Sequence, residues 1–359
     1  MKIVHIITSL EVGGAEKLLV NVTGMQLEFH EVTVIYFKVP KLVNEFDKRV
    51  NVIHIPLKFN IISEIRKVLQ KIKPDVVHTH LTHADLFGLL AARSCKGIKT
   101  ISTVHSTTYR NNFQDSLYYI LYRILFNVIC RETKIIAISK ALKEHIHQKF
   151  WLDYKRIYLL YNTISVGHTS ELPMPTNLAK HQDKFKILFV GRFISHKSVH
   201  TLIEAIHLLE ENIKQQIEVY LVGSGALLEQ LKELTEKLEL TSVVFFEGIS
   251  HQVYQYFKAS DLFVLPSISE GLPLVILEAF KFECPIISSD ITSFSELIEN
   301  NVNGLTFEVS NPKSLAEKIR ILYKNPDLRD QLSKSGKQFF DENFEPSKYV
   351  NRLNDIYLK

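Results

Sequence analysis

Three cysteines among 359 residues (Cys95, Cys130 and Cys284) are too few, too widely spaced and odd in number for a disulfide framework or a metal knuckle. That scarcity fits a reducing compartment and predicts a cytoplasmic protein. Long apolar runs are missing too. The nearest approach, Leu117 to Cys130, is broken by Arg123 and Asn127 and falls short of the roughly 20 apolar residues that cross a bilayer. It reads as a buried or interfacial helix. The run from Met1 to Thr8 is too short and interrupted for a signal peptide and leads straight to Gly13-Gly14, so it reads as the first strand of a sheet. Several ligand signatures are also lacking. Neither Gly13-Gly14 nor Gly223-Ser224-Gly225 has the third glycine of a dinucleotide fingerprint, and no Gly-Lys-Ser/Thr phosphate loop occurs. No Asp-x-Asp pair offers to hold a divalent cation against a diphosphate.

What is present is a folded chain, 46% apolar and 23% charged, long enough for two cores. Its charge is unevenly divided. Residues 1–180 hold 24 Lys+Arg against 14 Asp+Glu, while the net charge of the whole is only +4, so the first half is basic and the second acidic. Either this is solvated surface charge, or the basic half meets an anionic membrane or a phosphorylated carrier. Nothing points to nucleic acid.

Short β-branched runs alternate with helical patterns through both halves, which predicts α/β folding with parallel sheets built from βαβ units. In the first half the strand candidates are Lys2 to Thr8, Glu31 to Phe37, Val52 to Ile55, Asp75 to Thr79, Lys99 to Val104 and Lys134 to Ile138. The second series is Lys186 to Val190, Glu218 to Val222, Val243 to Phe246, Leu262 to Leu265 and Pro285 to Ser289. Two doubly wound, Rossmann-like domains follow, at 1–167 and 185–340. A proline-bearing linker at 168–184 joins them, and a last helix at 341–359 is expected to pack back on the first domain. Such sheets bind ligands at the carboxyl ends of their strands, so a cleft between the domains is the expected site.

The polar residues of interest sit at those ends. Glu270 and Glu278 bracket an apolar segment in which Leu274 to Phe282 reads as a buried helix, with Pro273 expected in its first turn. An unpaired buried carboxylate is costly, so Glu278 is salt-bridged, protonated or facing a polar ligand. The amides around Gly271 and Leu272 favour an anion or a sugar hydroxyl beyond the helix N-terminus. Arg192 and Lys197, five residues apart after Gly191, are two cations suited to a diphosphate, or a pair of solvated loop charges. Gly13-Gly14-Ala15-Glu16 lets backbone approach a ligand, although a glycine turn is also ordinary between strand and helix. His78-Thr79-His80-Leu81-Thr82-His83 has the look of a metal motif. However, Thr82 stands where a hydrolytic site needs Asp, and no second ligand cluster supports it. These histidines are expected at a strand end near the cleft, and His105, after Val104, is the better functional candidate.

Together these residues resemble glycosyltransferase family 4, the retaining enzymes of GT-B fold that use nucleotide-sugar donors. In the family's order occur Gly191-Arg192 followed by Lys197, Gly223-Ser224-Gly225, Phe246-Glu247-Gly248, Ala259 to Ser267, Glu270-Gly271-Leu272-Pro273 through Glu278, Pro285, Glu296 and Asn303-Gly304. The first half agrees through Gly13-Gly14, His78-Thr79-His80, His105 and Ser139-Lys140. Two loops depart from the pattern: Asn162-Thr163-Ile164-Ser165, where the family has Asn-Gly-Val/Ile-Asp, and Glu283-Cys284-Pro285, where it has Gly at the first position.

The resemblance implies that Glu278 holds the ribose and that Arg192 and Lys197, next to Gly191, hold the diphosphate. Glu270 with the Gly271, Leu272 and Pro273 backbone holds the donor sugar, and Gly248 and Ile249 lie near the base. Gly13 and Gly14 close over the phosphates, and His105 lies near the sugar. In the mechanism it implies, front-face substitution, the leaving phosphate takes the acceptor proton, so neither a protein nucleophile nor a metal or other cofactor is required. The expected function is transfer of a hexosyl or N-acetylhexosaminyl unit from a nucleotide-diphosphate sugar, UDP favoured, to a surface glycan or lipid-linked acceptor. The enzyme would work in the cytoplasm, peripherally on the inner face of the membrane. A sugar-nucleotide epimerase or phosphorylase, or a non-catalytic nucleotide-sugar binding protein, is the alternative. Free phosphate as co-substrate, product without acceptor, or binding without turnover would mark these.

Overall fold

The computed structural model describes residues 1–11, 13–105, 113–164, 175, 178, 183–250 and 252–359. The stretch read as a linker, 168–184, lies outside these except for residues 175, 178, 183 and 184. The chain divides into two compact units, Met1–Ile164 with Pro346–Lys359, and Ser165–Glu345.

The first unit is a seven-stranded sheet in the order β3-β2-β1-β4-β5-β6-β7. Its strands are β1 (Lys2–Ser9), β2 (Glu31–Lys38), β3 (Asn51–His54), β4 (Val76–His80), β5 (Lys99–Val104), β6 (Lys134–Ala137) and β7 (Ile157–Leu159), all parallel. Helices α1 (Gly14–Gln26), α2 (Ile61–Ile72), α3 (Thr82–Arg93), α4 (Phe113–Ile124) and α5 (Lys140–Phe150) make the connections. Strand β2 is largely apolar and buries all six residues between its ends, whereas the equally buried β4 carries His78, Thr79 and His80. Local chemistry starts α5: the Ser139 hydroxyl accepts the Leu142 amide at 3.1 Å and caps the helix.

The second unit repeats the plan with six parallel strands ordered β10-β9-β8-β11-β12-β13. These are β8 (Phe185–Val190), β9 (Ile217–Val222), β10 (Val244–Gly248), β11 (Leu262–Leu265), β12 (Ile286–Ser289) and β13 (Leu305–Phe307). Its main helices are α6 (Val199–His207), α7 (Leu228–Lys237), α8 (Val253–Ala259), α9 (Leu274–Lys281), α10 (Pro312–Lys324) and α11 (Pro326–Asn343). Each strand read from the sequence is present within a residue or two. The three-residue edge strands β7 and β13 were not read, being too short to show an alternation.

Helix α11 ends at Asn343 and α12 (Pro346–Leu358) begins two residues after Phe344. The chain thus passes from the second unit to the first between Glu345 and Pro346, not at residue 341. Helix α12 lies on the first unit: Lys99 Nζ donates to the Tyr357 and Leu358 carbonyls at 2.9 and 2.6 Å, and Lys134 Nζ to that of Ile356 at 2.8 Å. Cations on the last carbonyls suit a helix C-terminus.

Pro273 also departs from expectation. It is the extended N-cap of α9 (φ −73°, ψ 125°), one position before the first turn. The other end of α9 closes in a Schellman motif, with the Cys284 amide on the Ala279 carbonyl at 2.9 Å and the Glu283 amide on that of Phe280 at 3.1 Å. Glu283 therefore takes a left-handed conformation, φ +52°, at the position where the family has glycine. A left-handed non-glycine residue costs about 1–2 kcal/mol, partly offset by glycine's freedom in the unfolded chain. Because Glu283 is exposed, Glu283→Gly is expected to stabilise the second unit by about 0.5–1 kcal/mol in urea denaturation. A lower midpoint would overturn this account of the turn.

Candidate active site

In each sheet the strand order reverses once, between β1 and β4 and between β8 and β11, and sheets of this kind bind ligands at such switch points. In the second unit, β8 runs into Gly191 and Arg192 and then a 3-10 turn, Ser195–Lys197, while β11 runs into Pro266 and Ser267. The two loops are stapled together. The Ile268 amide donates to the His196 carbonyl at 2.9 Å. The Lys197 ammonium donates to Glu270 Oε1, each side chain only 12% exposed, and the Ser267 hydroxyl donates to the same oxygen at 2.8 Å. The Ser289 hydroxyl in turn holds the Ser267 carbonyl. Removing one partner from a pair so little exposed leaves the other charge uncompensated, at a cost of about 3–5 kcal/mol when burial is deep.

Around this pair the expected residues fall as follows. Arg192 is exposed and makes no ion pair among the described residues. Gly271 and Glu278 are half-buried, Leu272 is buried, and Glu278 lies one turn into α9. The ends of β8, β9 and β10 converge: the Gly191 amide donates to the Val222 carbonyl at 3.0 Å and the Gly223 amide to that of Gly248 at 2.8 Å. Only glycine fits at position 223, where φ is +144° and a Cβ would fall 1.9 Å from the Gly191 carbonyl oxygen. Gly248 is likewise left-handed, φ +69°, and Ile249 beside it is 73% exposed.

In the first unit, Gly13 is the extended N-cap of α1, and the Glu16 carboxylate folds back over it: a Cβ on Gly13 would meet Glu16 Oε2 at 2.4 Å. A negative charge is favoured at that helix end. His105 follows β5 and closes a line of histidines. His80 Nδ1 and His105 Nε2 lie 3.1 Å apart, His5 Nδ1 and His80 Nε2 3.0 Å, and His5 Nε2 and Gln26 Oε1 2.8 Å. Gln26 Nε2 also donates to the Tyr357 hydroxyl at 3.3 Å, which lies 2.8 Å from His78 Nδ1, and His78 Nε2 lies 2.7 Å from the Thr103 hydroxyl. Burial holds His5 and His105 down at about 4, and His78 and His80 well below the ordinary histidine value. Beside them Asp85 is buried under the hydroxyls of Thr79, Ser102 and Tyr122 at 2.6, 2.6 and 2.8 Å. Its burial outweighs these bonds and lifts the carboxyl to about 6.

His5, His78 and His80 each bring a ring nitrogen within 4.8 Å of the others, near enough to share a metal ion. All six nitrogens of the trio already have hydrogen-bond partners within the unit. This grouping is not the one the sequence motif offers, because His83 lies apart on α3, its ring 6.2 Å from that of Phe87. His5, Gln26, Tyr357 and Ser267 were not read as site residues. The available signal for His5 was a polar residue inside the buried run Ile3 to Ile7, whereas Tyr357 stands 331 residues from Gln26 and gave none.

Two family profiles divide the chain between them: Glycosyltransferase Family 4 matches residues 12–167 and Glycosyl transferases group 1 matches residues 174–339. An Escherichia coli UDP-Gal:alpha-D-GlcNAc-diphosphoundecaprenol alpha-1,3-galactosyltransferase is 26% identical over 301 residues, 81% of this chain and 77% of that one. A Campylobacter jejuni alpha-1,4-N-acetyl-D-galactosaminyltransferase, named for a diNAcBac-PP-undecaprenol-linked glycan, is 25% identical over 351 residues, 94% of this chain and 93% of that one. The crystal structure of Anabaena Alr3699/HepE in complex with UDP superposes with a TM-score of 0.85 at 18% identity, covering 99% of each chain. The chain belongs to glycosyltransferase family 4, with the two Rossmann-like units of the GT-B fold, and is a glycosyltransferase.

The neutral histidines couple folding to pH. Below about 6.5 the unfolded chain protonates His5 and His105, whereas the folded unit resists until about 4. Their contribution is therefore complete above pH 6.5 and lost as pH falls towards 4, by about 1.4 kcal/mol per pH unit for each. Asp85 acts oppositely between about 4 and about 6, because its folded value is raised. His5→Asn is expected to flatten the pH 4.5–6.5 dependence of urea stability by about one proton. An unchanged slope would show that His5 titrates normally.

Proposed function

We propose that the protein transfers a hexosyl or N-acetylhexosaminyl unit, with retention of configuration, from a UDP-sugar to a lipid-linked glycan at the inner face of the cytoplasmic membrane. One observation carries the reading: the Lys197–Glu270 pair set at the β8–β11 switch point, with Arg192 exposed beside it and Glu278 on the helix that follows. The relatives named for UDP-galactose and for undecaprenyl diphosphate-linked glycans support the donor and acceptor classes.

In this reading Arg192 and Lys197 take the diphosphate, Arg192 through its forked guanidinium and Lys197 by exchanging part of its contact with Glu270 for a phosphate oxygen. Glu270, so released, turns to the hydroxyls of the donor sugar, aided by the amides of Gly271 and Leu272. Glu278 holds the ribose, and Gly248 and Ile249 border the base. His105 and the Gly13 and Gly14 backbone serve the sugar and the phosphates. As the C1–O bond of the sugar breaks, charge grows on the leaving diphosphate, and fixed cations there lower the barrier. The leaving phosphate oxygen takes the acceptor proton on the same face, and no metal enters. Loss of one charge-assisted contact is worth about 1.5–3 kcal/mol, so Arg192→Ala and Glu278→Ala should each weaken UDP binding roughly ten- to a hundredfold by titration calorimetry. Transfer should also persist in EDTA. Unaltered UDP affinity in both variants, or strict dependence on a divalent ion, would refute the assignment.

The membrane part of the proposal rests on α4 and the π-helical turn after it, Leu125–Ile129. Leu117, Ile120, Leu121, Ile124 and Val128 are exposed at helical spacing, while Tyr122, Leu125 and Phe126 are buried. Trp151 and Tyr154 extend the apolar surface, with the Arg123 guanidinium 3.6 Å above the indole and the Lys143 ammonium 4.0 Å from the phenol ring. Apolar side chains interleaved with cations suit the headgroup boundary of an anionic bilayer. The chain should sediment with phosphatidylglycerol vesicles at low salt and be released as salt rises, and Leu121→Glu should abolish the binding. Equal sedimentation of the wild type with neutral and anionic vesicles would count against the charge part of this account.

A further inference from the structure

The histidine line in the first unit has a property that none of its members has alone. Gln26, His5, His80 and His105 are joined by three hydrogen bonds, and each needs one hydrogen. His5 and His80 are buried and His105 is half-buried; as neutral rings the three carry one hydrogen each, so all must point the same way. Only two arrangements satisfy every bond. With the Gln26 carboxamide oxygen on His5, as in the structure, His5, His80 and His105 all carry hydrogen on Nε2, and His105 Nδ1 is left as a lone pair. With the carboxamide turned over, every ring carries its hydrogen on Nδ1, and His105 offers N–H instead.

The carboxamide is itself held from its other end. With the carboxamide placed as in the structure, Gln26 Nε2 donates to the Tyr357 hydroxyl, which is then free to donate to His78 Nδ1 2.8 Å away, leaving His78 Nε2 to donate to Thr103. Gln26 is fully buried, as are His5 and Tyr357, so turning the carboxamide over obliges the Tyr357 hydroxyl, His78 and Thr103 to reverse their bonds with it. The C-terminal helix α12 thus takes part in setting the state of a residue 252 positions earlier in the chain.

We propose that Gln26 is a positioning residue which, through His5 and His80, fixes the tautomer of His105 so that its Nδ1 accepts a hydrogen bond from a hydroxyl of the donor sugar. The second half of this inference rests on the reading of His105 under Proposed function. The first half stands without it, since it concerns the ligand-free protein. A sugar hydroxyl can donate as well as accept, but it makes its best bond to a lone pair whose orientation is already set, and an inverted relay would oppose an N–H to it.

Long-range proton–nitrogen correlation spectra of the ¹⁵N-histidine-labelled protein test the relay, with the His105 signals identified by their loss in His105→Asn. The Nε2–H tautomer is expected at His105 in the wild type. In Gln26→Met, nearly the same shape but without the carboxamide, a mixture of tautomers is expected. Tyr357→Phe keeps the ring, removes the hydroxyl that holds Gln26 Nε2, and should produce the same mixture should Gln26→Met fail to fold. Gln26→Glu retains an acceptor for His5 and should restore the wild-type tautomer. An Nδ1–H tautomer in the wild type, or spectra of His105 unmoved in both Gln26→Met and Tyr357→Phe, overturns the relay.

The functional half is read as release of UDP from whichever of UDP-glucose, UDP-galactose and their N-acetylamino counterparts most stabilises the protein in a thermal-shift panel. Gln26→Met should lower turnover at least tenfold with UDP affinity unchanged, and Gln26→Glu should recover most of it. A shifted tautomer with undiminished turnover removes His105 from the donor sugar while the relay stands. Absence of stabilisation by every UDP-sugar fails the functional reading alone, because the spectra decide the relay independently.

Discussion

Parallel strands cannot be joined by a tight turn, and that constraint organises both units of this enzyme. Each connection crosses back over a face of the sheet, so every loop leaving a strand emerges at the same edge. Where the winding reverses, two such loops part, and the residues there are the ones free to meet a ligand. In the second unit this puts Lys197, from the β8 side, in contact with Glu270, from the β11 side, although 73 residues separate them. In the first unit it places Gly13 after β1 and His80 at the end of β4 at the corresponding point.

The two units use that geometry differently. The second arranges charge: an ion pair with little exposure, an exposed arginine in the same loop as Lys197 that makes no ion pair among the described residues, and a carboxylate on the following helix. The first arranges neutral polar groups, all buried except the half-buried His105, where four histidines, a glutamine, a tyrosine and a threonine satisfy one another. Charge responds to a charged ligand, and a neutral network holds a fixed pattern of donors and acceptors. The glycines at 191, 223 and 248 belong to the scaffold beneath, where strand ends approach more closely than a Cβ permits at position 223.

Much of this was legible in the chain. The alternation of β-branched runs and helical patterns gave both sheets except for their shortest edge strands, because burial on both faces favours the β-branched apolar residues that most of these strands carry. The candidate residues of the second unit stood out because they lie within about 90 positions and their types are unusual for their surroundings: Gly191-Arg192, Lys197, Glu270 and Glu278. Glu283 was legible as a departure, and the Schellman turn supplies its meaning, a left-handed backbone that prefers glycine.

By itself, then, the sequence determined the class of fold, the repeated plan and the identity of the charged groups, since each follows from local periodicity or from a short motif. Tertiary structure alone decided who faces whom. That Lys197 meets Glu270, that His5 joins His80 while His83 stands apart, and that Tyr357 returns from the last helix to reach Gln26 are consequences of register between strands and of where α12 docks. Register is fixed by the summed burial of whole strands, and no motif a few residues long carries that information.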